Sequence, residues 1–192
     1  MHRVLLVPGL HNSGPEHWQS QWHQRFPTWQ RLDGLPWDQP NLTIWSERLA
    51  DVLAQSPEPV HLVAHSFGTL TAVAASRLQP DKVASLFLAA PADPERFGIV
   101  ERRLSGSLPA PALLVASRSD PWMSFERASR WSRLWQTPLF DAGAVGHINV
   151  ESGHGEWGDG LALLADLHGR QQRYRYFSHH RQQRSWRASL TG

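Results

Sequence analysis

The chain has 192 residues, 41% of them hydrophobic, and no cysteine. That length suits one domain with a substantial core, and the missing thiols exclude disulfides, thiolate zinc sites and a cysteine nucleophile, as befits a reducing, cytoplasmic setting. The net charge of +2 is uneven: positions 168–192 hold six arginines and no acid, while positions 1–167 carry 13 cationic against 17 acidic residues, so the basic balance says little about what the body binds.

The first apolar run, HRVLLV at 2–7, predicts a strand that stops at Pro8 and Gly9. It is too short for a signal-peptide core and lacks a small-residue cleavage site, and no later run approaches the roughly 18 apolar residues of a membrane span. A helix is predicted over His17 to Arg25 and another over Leu42 to Gln55. In the second, Leu42, Trp45, Leu49, Val52 and Leu53 recur at the helical period, with Glu47, Arg48 and Asp51 mostly on the other face. VHLVA at 60–64 reads as a strand leading into a helix over Phe67 to Leu78. Strands follow at VASLFLAA (83–90) and ALLVAS (112–117), then a helix over Phe125 to Trp135, a weaker strand at PLFDAG (138–143) and a last helix over Trp157 to Leu167. Such continuously apolar strands are covered on both faces, as in a parallel sheet. Their alternation with helices predicts an α/β fold whose ligands sit beyond the carboxyl ends of the strands.

Residues 64–68 read Ala-His-Ser-Phe-Gly, the pattern G-x-S-x-G with alanine in first place. A nucleophile elbow strains the serine backbone, so the residues two places before and after must be small for strand and helix to approach. Ala64 and Gly68 meet that need. Ser66 could otherwise serve only as a helix cap, but the strand before it and the Ala-rich helix after it favour a nucleophile. A serine needs a base held by a carboxylate, and on an elbow of this kind the chain order is Ser, acid, His. Asp120 follows ALLVAS in SRSDPW, and His147 lies in the small-residue loop AGAVGHINV. His154 competes for the base role; Glu151, Asp141 and Asp93 compete for the acid. Backbone N–H groups of Phe67 and of Leu10, or its neighbour His11, are the candidate oxyanion donors. No H-E-x-x-H or Cys-His spacing occurs, so neither metal nor other cofactor is expected.

Together, VPGLHNSGPEHWQSQW (7–22), WDQP (37–40), VAHSFG (63–68), SRSDPW (117–122) and GHINVESG (146–153) resemble the RBBP9/YdeN family of small serine hydrolases over positions 3 to about 167. The resemblance implies a three-layer α/β-hydrolase fold with a mainly parallel sheet and no large cap domain. It also implies Ser66 as nucleophile, Asp120 as orienting acid, His147 as general base, and esterase-like hydrolysis of a small-molecule ester. A peptidase, thioesterase or acyltransferase would share this machinery, and an inactive hydrolase fold used as a binding module is the reading from another class. Among the ten tryptophans, Trp22 and Trp45 are expected in the core, while Trp18 and Trp122, with His11, are the substrate-pocket candidates. The arginine-rich extension 168–192 lies outside the family pattern and reads as a flexible tail; binding of nucleic acid or an anionic surface through it is the less favoured reading.

Overall fold

The computed structural model describes residues 3–169. In chain order the elements are β1 (Val4–Val7), α1 (Trp18–Arg25), β2 (Gln30–Arg31), α2 (Leu42–Ala54), β3 (Val60–Ser66), α3 (Phe67–Leu78), β4 (Val83–Pro91), β5 (Ala112–Ala116), α4 (Phe125–Trp135) and β6 (Leu139–Asp141). Short 3-10 turns occupy Pro94–Phe97 and Glu101–Arg103. The body ends at Trp157, and the segment that follows has a helix over 158–169 as its described part. The expected tail falls outside the described residues from position 170 on. No helix among the described residues is long and apolar enough to cross a membrane.

The six strands form one sheet in the order β2-β1-β3-β4-β5-β6, and each neighbouring pair is parallel. All nine residues of β4 are buried, which is why its sequence shows no alternation of apolar and polar positions. Strand periodicity nevertheless sorts the side chains. Leu5, Leu62, Leu86 and Leu114 share a cluster with Trp45 of α2, Leu70 of α3 and Trp131 of α4, so those helices cover one face. On the other face α1 sets Trp18 against His65, with ring centroids 5.9 Å apart, and Trp22 against Phe87, at 6.5 Å. This is the expected three-layer arrangement, and the stretch between β4 and β5 forms only 3-10 turns rather than a cap domain.

β2 has no counterpart among the strands predicted from the sequence. Its two residues pair with Leu5 and Leu6 at the sheet edge, and two residues carry no period that sequence patterning can detect.

Candidate active site

From β1 the chain moves to one edge of the sheet to make β2, whereas β3 is followed by β4, β5 and β6 on the opposite side. The loops leaving β1 and β3 therefore diverge and open a crevice at the carboxyl ends of these strands. Ser66 stands in that crevice, at the last residue of β3, with φ 54° and ψ −126°. A non-glycine residue there stores roughly 1 to 3 kcal/mol of backbone strain, and the neighbours must over-determine it. A Cβ on Gly68 would lie 2.3 Å from the Val7 carbonyl oxygen and 2.4 Å from that of Pro8; one on Gly9 would lie 2.7 Å from the Ser66 Cβ. Close approach thus requires glycine at both places. Unlike Asn41 and Ser124, which cap α2 and α4 through their side chains, Ser66 makes no side-chain cap bond to α3. Its hydroxyl is not spent on the helix.

Three of the residues singled out by chain order meet here. His147 Nε2 lies 2.9 Å from Ser66 Oγ, and His147 Nδ1 lies 2.9 Å from each carboxylate oxygen of Asp120. Asp120 Oδ1 also accepts the Trp122 N–H at 2.8 Å. The loop carrying His147 is tied to the loop carrying Asp120, because the Val145 and Gly146 amides donate to Ser117 Oγ and Ser119 Oγ, both at 3.0 Å. An arrangement of this kind can pass a proton from an alcohol to an imidazole while a carboxylate faces the resulting cation. The competing groups are engaged elsewhere or stand at the rim. Asp141 is paired with Arg118, whose hydrogen bond holds the Asp141 carboxyl below its ordinary range. Asp93 is paired with Arg127, His154 Nδ1 meets Ser152 Oγ at 3.1 Å, and Glu151 lines the pocket mouth.

Of the candidate N–H groups, His11 donates to the Trp37 carbonyl at 2.7 Å, which leaves Leu10 and Phe67. Neither of these donates to a loop or turn carbonyl among the described residues. The loop after β1 is braced in advance. Arg31 reaches the Ser13 carbonyl at 2.6 Å and Ser20 Oγ at 2.7 Å, and Gln19 Nε2 donates to the carbonyls of Val7 and Val63 at 3.2 and 3.0 Å.

A cavity of about 220 Å³ opens beside Ser66 and His147. Its lining includes His11 and Trp122, together with Phe97, Asn149 and two buried histidines, His17 and His65. Trp18 does not line it. It is 0% exposed, and its Nε1–H donates to the Ile148 carbonyl at 3.0 Å. The helix start explains the correction: His17 is the N-cap of α1 and lines the pocket, so the next side chain turns inward onto Trp22 and Trp157, at centroid distances of 4.5 and 4.9 Å. Trp22 and Trp45 lie in the core as expected.

Burial first, then the Arg31 guanidinium and His147, lowers His17 from 6.5 to about 4. The unfolded chain binds a proton between those values that the folded chain refuses, so this contribution is complete above pH 6.5 and is lost as pH falls toward 4. The gap corresponds to about 3 kcal/mol. Urea unfolding at pH 7.5 and 4.5 should show a smaller acid-induced loss in His17→Gln than in the wild type, and equal losses would contradict the assignment.

Solved structures with the same fold include a YdeN-like hydrolase from Pectobacterium atrosepticum, at 41% identity and TM-score 0.84, covering 88% of this chain and 92% of that one. The ydeN gene product of B. subtilis matches at 19% identity and TM-score 0.71, over 88% and 100% of the two chains. Est1E of Butyrivibrio proteoclasticus, solved with ferulic acid bound, matches at 13% identity and TM-score 0.61, over 81% and 87%, and is similar in fold alone. No curated protein matches the chain. A family model described as serine hydrolase matches residues 4–166, and with the Pectobacterium relative alongside it, the chain belongs to the serine hydrolase family and shares the YdeN-like α/β-hydrolase fold.

Proposed function

We propose that the protein cleaves carboxylic esters of small or medium acyl groups through an acyl-enzyme on Ser66. The observation that best supports this is the Ser66 hydroxyl itself, uncommitted to helix capping and 2.9 Å from His147 Nε2. In this reading His147 accepts the hydroxyl proton as Oγ bonds to the acyl carbon, and Asp120 faces the imidazolium. The oxyanion that forms takes the backbone N–H groups of Phe67 and Leu10. The intermediate then collapses, the C–O bond to the alcohol breaks, and the alcohol leaves with the proton from His147. Water attacks the acyl-enzyme next, giving its proton to the same nitrogen. Release of the carboxylic acid returns that proton to Ser66.

The cavity volume of about 220 Å³ falls below the roughly 300 Å³ at which pockets for drug-sized ligands begin, which favours small substrates. Phe97, whose ring lies 4.9 Å from that of Phe67, closes one side of it. The test is a p-nitrophenyl ester series of increasing acyl length, run with fluorophosphonate labelling and peptide mapping. Turnover should fall once the acyl chain outgrows the pocket, and the label should sit on Ser66. A label on another residue, or no turnover at any chain length, would sink the reading.

A further inference from the structure

His65 precedes Ser66 and is only 5% exposed, a polar residue buried where most of β3 is apolar. Its Nε2 lies 2.9 Å from the backbone carbonyl oxygen of His147, 82 positions later. A carbonyl only accepts, so His65 Nε2 carries the proton. Burial first, then the neighbouring His17 and His147, hold this imidazole well below its ordinary pKa, so it remains a neutral donor. At the next peptide, Trp18 Nε1–H donates to the carbonyl of Ile148. The two donor rings meet edge to face at 89°. Consecutive carbonyls of the His147 loop are thus each held by a buried donor, one at the end of β3 and one on α1.

That bracket has work to perform. Ile148 sits at φ 48°, a conformation that a β-branched residue adopts only when its surroundings impose it. The amides of Val145 and Gly146 tie the loop to the acid's side of the site. The His65 bond ties it to the serine's side. Among the described residues it is the bond that joins the elbow directly to the His147 backbone, one residue from the hydroxyl that His147 must reach.

We propose that His65 is a positioning residue that sets the distance between the His147 imidazole and the Ser66 hydroxyl, with Trp18 as the second anchor. The proposal rests on the assignment of Ser66 and His147 given above. His65→Phe keeps a ring and loses the donor, leaving the His147 carbonyl buried without a partner. His65→Gln keeps a side-chain N–H that can reach the same carbonyl. Misplacement by about 1 Å lowers rates by about a hundredfold, so His65→Phe should lower kcat and the fluorophosphonate labelling rate about 10- to 100-fold, with KM within about threefold of wild type. His65→Gln should recover most of that loss. Trp18→Phe should also lower kcat at nearly constant KM, and the double variant should lose less than the product of the single losses, because both donors brace one loop.

The experiment measures labelling rate, kcat, KM and thermal melting on the full chain for these variants. A folded His65→Phe variant that labels within twofold of wild type overturns the proposal. So does a His65→Gln variant as impaired as His65→Phe at equal melting temperature, since the ring's packing and not its donor would then matter. If His65→Phe does not fold, the other two variants decide: near-normal His65→Gln with a KM-neutral loss in Trp18→Phe supports the bracket, and an unaffected Trp18→Phe overturns it. A wild-type chain that neither labels nor turns over ester overturns the assignment of Ser66 itself, a failure visible before any variant is compared.

Discussion

Ser66→Ala is expected to lower ester turnover by at least about ten-thousandfold and to abolish fluorophosphonate labelling. The substitution removes one oxygen and keeps the Cβ that fits against Gly9. Because Ser66 makes no side-chain cap bond to α3, the helix loses nothing, and thermal melting should stay close to wild type. On the proposed mechanism, what remains is the weak acceleration available from substrate binding and from the N–H groups of Phe67 and Leu10. The measurement is kcat with p-nitrophenyl acetate on both chains, alongside gel-based labelling. A variant that keeps a tenth of the wild-type rate would remove Ser66 from the reaction.

Asp120→Asn should lower kcat by about ten-thousandfold as well, through the identity of one nitrogen rather than through lost packing. Asp120 Oδ1 accepts the Trp122 N–H at 2.8 Å, and both carboxylate oxygens face His147 Nδ1 at 2.9 Å. Asparagine has one oxygen. If that oxygen stays with Trp122, the NH₂ faces His147 Nδ1, which must then present its lone pair. The ring proton moves to Nε2, and the imidazole can no longer accept the Ser66 proton. Substrate binding is untouched, so KM should change little while kcat falls. A fall in kcat of less than tenfold would show that the carboxylate does not set the tautomer.

Much of the architecture is legible in the sequence. The helices at Phe67–Leu78 and Phe125–Trp135 match the patterned segments residue for residue, because a long amphipathic or Ala-rich run between turn signals has one economical conformation. The strands were legible for a similar reason, since a buried parallel strand has no polar face to confuse its reading. Trp18 shows where that legibility stops. Its place after the first loop suggested the pocket, but which way a side chain at the first helical turn points depends on what packs against α1. The competing carboxylates make the same point. Chain order admits Asp141 as well as Asp120, and only the position of Asp120 just after a strand and the family resemblance favour it; in the fold the guanidinium of Arg118, 23 positions before Asp141, claims Asp141.

Composition, local patterning and chain order thus determined the class of fold, the small residues at the elbow and the short set of chemical groups near the strand ends, because these depend on interactions between near neighbours and on the period of each element. The tertiary structure alone decided that Ser66, Asp120 and His147 come within hydrogen-bond reach while their competitors do not, that His11 donates its N–H to Trp37, and that His65 reaches across 82 positions to the His147 carbonyl. Hydrogen bonds act over about 3 Å, and only the folded chain brings such distant positions within that range.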